Sequence, residues 1–241
     1  FLDGYRFSFA PRTEAVMYVD TISAFIKLPY PEDYVPEPKI PESDYFIGIN
    51  VCPLWREGTH FGWGAVSALP DVEPALGYYD EGIPEVADWE IKFMVENGID
   101  VQHFCWYCPS SNQLEPIKRS SLNFALHDGF FNAEYSDMMK FTFMWENSGV
   151  NTTNLEDFKT YIWSYWMDYY FLDDRFYTID NKLVFTAWSY GNFKKAFGGT
   201  NEGAQEAVKF MNDDAKAHGF DGIMLFFADG HAQDAGSVEN M

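Results

Sequence analysis

Apolar and polar positions change period several times along this chain, and the changes mark out a series of strands and helices. Residues 5–28, YRFSFAPRTEAVMYVDTISAFIKL, alternate with the two-residue period of half-buried strands and break at Pro11 to Glu14. The pattern predicts a hairpin. Residues 29–44 hold five prolines (Pro29, Pro31, Pro36, Pro38, Pro41) among acids and no apolar period, the composition of an extended, semi-rigid linker. A lone hairpin is marginal in water, so residues 1–28 read as the C-terminal strands of a β-sandwich module, set apart from a domain over 45–241.

From Tyr45 onward short apolar runs recur: YFIGINV (45–51), VQHFCWY (101–107), MKFTFMW (139–145), KLVFTAW (182–188) and GIMLFFA (222–228). Runs that are apolar at successive positions suit strands buried on both faces of a parallel sheet. Between them lie helical patterns. Pro84 opens one, with Val86, Trp89 and Phe93 at spacings of three and four before Gly98. A short helix is expected near Ser120 to Leu126. Thr153 and Glu156 form a capping-box pattern ahead of Leu155, Phe158, Ile162, Tyr165 and Tyr169. A turn at Asp180 and Asn181 leads into the fourth run, and Ala204, Ala207, Val208, Met211 and Ala215 mark the last helix.

Two joints in this series repeat: Asn97-Gly98-Ile99-Asp100 and His218-Gly219-Phe220-Asp221. Each places a glycine past a helix, then one apolar residue, then Asp, then a strand. Strand and helix alternate, so a parallel α/β fold follows. Strand starts at 45, 101, 139, 182 and 222 are 56, 38, 43 and 40 residues apart. Eight such units would run past residue 241, and a (β/α)₈ barrel of TIM type would stop here after about five βα units. A complete five-stranded doubly wound sheet is the alternative.

Composition narrows the chemistry. Aromatics are 19% of the chain, with 8 Trp, 15 Tyr and 23 Phe, a supply of ring faces suited to stacking on sugars or to filling an aromatic core. With 37 Asp+Glu against 16 Lys+Arg the formal net charge is −21. A polyanion would be repelled, which removes nucleic acid and acidic membrane surfaces from the candidate partners. No apolar run is long enough to span a membrane. The chain opens on Phe1 and not Met, from which we expect an upstream segment to have been removed.

Parallel α/β folds keep their chemistry at the C-terminal ends of their strands. Glu146 and Asp229 are the acids directly at the ends of the third and fifth runs and are the candidate catalytic residues. Glycoside hydrolysis needs such a pair, one carboxyl protonated and one ionised. Asn50, Trp55, Trp106 and Tyr107 fall at the first two strand ends. Asn147, Trp188, Tyr190 and His231 fall at the later ones. Together they offer stacking faces and hydroxyl partners, the requirements of a sugar site.

Several spaced motifs also carry a family resemblance. Tyr78-Tyr79-Asp80 before a helix, the Gly98-Ile99-Asp100 joint, the Trp106-Tyr107 strand end and Trp145-Glu146-Asn147 follow one another as in the first half of family-99-like glycoside hydrolase domains. The chain resembles that family over about residues 45–228. The resemblance implies a (β/α)₈ barrel that acts on or binds an oligosaccharide or polysaccharide. It also implies that the family's catalytic carboxylate pair lies in a Glu-rich motif on the second half of the barrel, for which no counterpart occurs here. The stretch VMYVDTISAF is similar to the closing strand of secreted carbohydrate-binding sandwich modules, with Thr21 where those carry a second Asp. These likenesses imply a secreted or cell-surface protein with additional domains in a longer chain. They also leave two readings, a glycoside hydrolase and a non-catalytic glycan-binding barrel.

Competing motifs are thinner. Cys105 and Cys108 have redox spacing, but no helix starts cleanly behind them. Cys52, Cys105, Cys108 and His103 lack the second close pair of a zinc site, and His60 stands alone in a loop. No phosphate loop, dinucleotide fingerprint or serine elbow occurs, so no cofactor or metal is expected.

Overall fold

The computed structural model describes residues 34–56, 63, 74, 76–108, 122–148 and 154–229. The expected hairpin, His60, Thr153 and His231 lie outside the described residues. Six strands form one sheet: β1 (Gly48–Val51), β2 (Val101–Tyr107), β3 (Lys140–Glu146), β4 (Thr178–Ile179), β5 (Lys182–Ala187) and β6 (Ile223–Phe227). β1, β2, β3, β5 and β6 run parallel in chain order. The order does not reverse about the first strand, so the doubly wound alternative fails.

β4 was not anticipated. It is the antiparallel arm of a tight turn at Asp180 (φ 49°) and Asn181 (φ 55°), the left-handed pair that closes two-residue hairpins. The approach to it is wedged between the lower halves of β3 and β5: Tyr177 N–H donates to Phe141 O at 2.8 Å, and Val184 N–H to Tyr177 O at 3.3 Å. β3 and β5 therefore pair directly only higher up, at Met144↔Thr186 and Trp145↔Ala187.

The sheet is strongly curved. Phe46, leading into β1, stacks on Tyr177 with ring centroids 4.9 Å apart. In a flat sheet their strands would stand about 14 Å apart, three spacings of roughly 4.8 Å. Among the described residues neither outer edge, of β1 or of β6, has a further partner strand. The result is a mixed α/β fold with a curved parallel sheet in sequential order, as in part of a TIM-type barrel.

Helices pack on the convex face: α1 (Pro84–Val95), α2 (Leu155–Asp157), α3 (Ser164–Trp166), α4 (Tyr190–Ala196) and α5 (Asn201–Ala217). Side-chain acceptors open three of them: Asn154 on α2, Ser189 on α4 and Thr200 on α5. Both repeated joints form as expected. Gly98 (φ 73°) and Gly219 (φ 94°) turn left-handed, and Ile99 and Phe220 donate back to Met94 O and Ala215 O, closing the helices by the Schellman pattern.

Two expected helix faces are corrected. On α1 the buried positions are Val86, Ala87, Asp88, Ile91 and Val95, and Phe93 is 49% exposed. Residues 155–171 are not one regular α-helix, because π-helical turns at Phe158–Trp163 and Met167–Phe171 interrupt α2 and α3. The wider winding of i→i+5 bonding makes burial recur every four residues: Phe158, Ile162 and Trp166 in one row, Trp163, Met167 and Phe171 in the next. Tyr169, expected on the buried stripe, is exposed.

The described part of the proline-rich segment lies against α1. Val35 and Pro38 are buried, Tyr135 Oη–H donates to Val35 O at 2.9 Å, and Tyr34 Oη–H donates to Asp88. Asp88, fully buried, also accepts Glu134 N–H at 3.0 Å and Tyr135 N–H at 2.8 Å. Three donors thus offset the cost of burying its carboxylate.

Among the described residues much of the aromatic content is core. Trp106, Trp145, Trp163, Trp166 and Tyr170 are fully buried, as are seven phenylalanines with them. They fill the layer between the sheet and its helices.

Candidate functional site

Side chains alternate across each strand, so register fixes which residues share the concave face. Asn50, His103 and Thr142 form one layer, continued by Val184 on β5. His103 Nδ1 and Asn50 Oδ1 are 2.5 Å apart, and burial holds the imidazole below its ordinary pKa. The next layer up holds Cys105, Met144, Thr186 and Phe226. Above it lie Tyr107 and Glu146, register partners, and one step beyond Trp145↔Ala187 comes Trp188, whose N–H donates to Trp145 O at 2.9 Å.

Tyr107, Glu146 and Trp188 therefore form a row across three neighbouring strands at the C-terminal ends. Trp188 is 46% exposed. Burial, the nearby thiols and the Glu146 carboxylate all push the Tyr107 phenol upward, so it stays protonated and able to donate. Glu146 accepts both the N–H (3.2 Å) and the hydroxyl of Ser148. That contact orients the carboxylate. Below the row, Asn50, His103, Thr142, Val184, Thr186, Phe46 and Tyr177 help to line a cavity of about 300 Å³, the lower end of the range for small-ligand pockets.

Four of the expected site residues point the other way. Trp106 is 1% exposed in the helix layer, its Nε1–H donating to Tyr170 Oη at 2.7 Å. Asn147 is 2% exposed and clamps Ser189, donating to its O at 2.9 Å and accepting its N–H at 3.1 Å. Asp229 accepts Tyr190 N–H at 3.2 Å at the start of α4. By alternation from Phe227 it belongs to the helix side of β6. Tyr190 itself packs edge-on against Phe227 at 5.2 Å. Adjacent residues on a strand cannot both face a ligand, which is why Trp106 and Asn147 lose the place that Tyr107 and Glu146 take.

Trp55 belongs to a second aromatic cluster beyond the end of β1. It stacks on Trp63 at 4.3 Å, and Trp63 meets Tyr78 and Tyr79 edge-on at 5.3 and 5.1 Å. Two carboxyls passed over in the sequence adjoin it. Glu81 accepts the N–H groups of Leu54 and Trp55, both at 2.9 Å; its burial outweighs those bonds and lifts its pKa to about 7. Glu90, pushed up to about 8 by burial and then by Glu81, carries the second. Glu81 directly follows Tyr78-Tyr79-Asp80, which was the available signal. Asp80 itself is held by Arg56, whose Nε lies 2.9 Å from both carboxylate oxygens.

Among the described residues no group of three or more His, Cys, Asp or Glu is placed to hold a metal ion, and no helix is long and apolar enough to cross a membrane. Cys105 and Cys108 fall on opposite faces of β2, three positions apart, so neither the redox pair nor the zinc set assembles there.

No protein-family model matches this sequence, and no curated protein matches it. Among solved structures, the chain is similar to the GH99 endo-alpha-mannosidase from Bacteroides thetaiotaomicron, with 16% identity and a TM-score of 0.46, over 69% of this chain and 44% of that one. It is likewise similar to that enzyme in complex with BIS-TRIS-propane, with 16% identity and a TM-score of 0.42, over 68% and 47%. The chain spans less than half the length of the structures it matches.

Proposed function

We propose that this chain is the sugar-binding part of a secreted or cell-surface carbohydrate-active protein, with glycoside hydrolysis as its reaction class. The observation that carries the proposal is the row Tyr107, Glu146, Trp188: a phenol that donates, a carboxylate that accepts and an indole face, side by side at the C-terminal ends of three neighbouring strands. Sugars present hydroxyls around their edges and C–H faces for stacking, and this set matches both. The net charge of −21 favours a neutral glycan over an acidic one.

Hydrolysis requires a second carboxyl about 5–9.5 Å from the first. Asp229 does not supply it, because it faces α4. A second reading, a glycan-binding module without turnover, is favoured by that observation. Glu146→Gln separates the two. Yeast α-mannan, xylan and soluble starch serve as probes, with affinity and reducing-end release measured on wild type and variant. Loss of release by about a hundredfold or more with affinity kept makes Glu146 catalytic. A several-fold loss of affinity without any release in either form makes it a binding residue. Unchanged affinity and release for every probe would end the proposal.

A further inference from the structure

The concave face carries two thiols that the sugar reading does not use. Cys52 follows directly on β1, one residue beyond the register pair Val51↔Phe104, which sets it opposite Cys105 on β2. One layer down, the same two strands bring Asn50 and His103 into side-chain contact at 2.5 Å. Cys52 and Cys105 are the next residues up on that face. Cys52 Sγ also lies 3.4 Å from Tyr107 Oη, two residues past Cys105 on the same side of β2. We infer that Cys52 and Cys105 are partners in a reversible disulfide that ties β1 to β2 across the concave face, beneath Tyr107.

Geometry selects this pair over the one that sequence spacing suggests. Register neighbours on adjacent strands lie about 4.8 Å apart at Cα, inside the roughly 4.4–6.8 Å that a disulfide spans. Cys105 and Cys108 are three residues apart on extended chain, about 10 Å, and point to opposite faces. Cys52 is exposed, whereas Cys105 is buried. Burial, and then Cys52 beside it, push the Cys105 thiol up to about 12. Oxidation therefore starts at Cys52.

A peroxide is the oxidant. The Cys52 thiolate attacks one peroxide oxygen, an S–O bond forms, the O–O bond breaks and water leaves after protonation, giving a sulfenic acid. Cys105 sulfur then attacks Cys52 sulfur. The S–S bond forms, the S–O bond breaks, and the departing hydroxide takes the Cys105 proton as water. Two thiols lose two electrons and one hydrogen peroxide becomes two waters; a dithiol reductant reverses the change by exchange. The bond would close the 52–105 loop and fix β1, whose outer edge has no partner strand among the described residues, to its neighbour.

The test is oxidation of the whole protein with hydrogen peroxide, alkylation of remaining thiols, and peptide mapping before and after dithiothreitol. The expected result is a Cys52–Cys105 cross-linked peptide, lost on reduction, together with a thermal midpoint higher by about 4 °C or more in the oxidised form. Cys108→Ser keeps both effects, and Cys52→Ser removes both. Cys105→Ala does the same if it folds, but mapping of the wild type decides the matter without it. A Cys105–Cys108 peptide, a Cys52-linked dimer in place of the internal bond, or Cys52 sulfinic acid with Cys105 still free would each overturn the inference. The outcome does not depend on whether a sugar binds.

Discussion

Replacing two tryptophans that the sequence treats alike separates the inner face of the sheet from its outer one. Trp106 packs against Trp166 at 5.3 Å and Phe143 at 6.2 Å, donates to Tyr170, and is 1% exposed. Removing a ring from so enclosed a place loses its transfer energy and leaves a cavity, about 3–5 kcal/mol for Trp→Ala. Taken as about 4 kcal/mol, that lowers the thermal midpoint by roughly 8–16 °C in a chain of this size. Trp188 is 46% exposed at the rim. Its loss leaves no closed cavity and should cost under about 1 kcal/mol in stability, while under the proposed function it lowers glycan affinity about tenfold, or about 1.4 kcal/mol. Urea unfolding followed by fluorescence gives the first quantity and titration calorimetry with the bound glycan the second. Trp106→Phe, which keeps a ring, serves if Trp106→Ala does not fold. If Trp188→Ala proved as destabilising as Trp106→Ala, or if Trp106→Phe abolished glycan binding with stability intact, the division into faces would be wrong.

Two further outcomes follow from carboxyls in the core, Glu81 and Asp88, and beside it, the half-buried Glu90. Glu81 and Glu90 are held above their ordinary value, at about 7 and about 8, chiefly by burial, so the folded chain keeps protons that the unfolded chain has released above about pH 4.5. Their stabilising effect is complete below that pH and is lost as pH rises through 7 to 8. Glu90→Gln should therefore raise stability by about 1–2 kcal/mol at pH 8.5 and hardly at all at pH 5, and an equal midpoint shift at both would contradict the assignment. Asp88→Ala strands the N–H groups of Glu134 and Tyr135 and the Tyr34 hydroxyl; a loss of about 2–4 kcal/mol in urea unfolding is expected, and a change below about 0.5 kcal/mol would show that water replaces the carboxylate.

The sequence by itself determined the five parallel strands of this fold and several of its joints. Apolar runs marked five parallel strands, and glycine after each of two helices marked the left-handed joints that Gly98 and Gly219 make. Asp180 and Asn181 marked the turn. These features are local: a period, a cap or a φ angle is fixed by neighbours in the chain. Which side of each strand faces inward was not legible, because strands buried on both faces are apolar at successive positions and their pattern carries no parity. Only pairing of the strands decided that Tyr107 and Glu146 share the concave face while Trp106 and Asn147 belong to the helix layer. The same pairing set Cys105 beside Cys52, far away in sequence, and away from Cys108 close by. The π-turns between 155 and 171 were hidden for a related reason: winding is chosen by the aromatic core that the helix must cover, and that core exists only when the sheet is assembled.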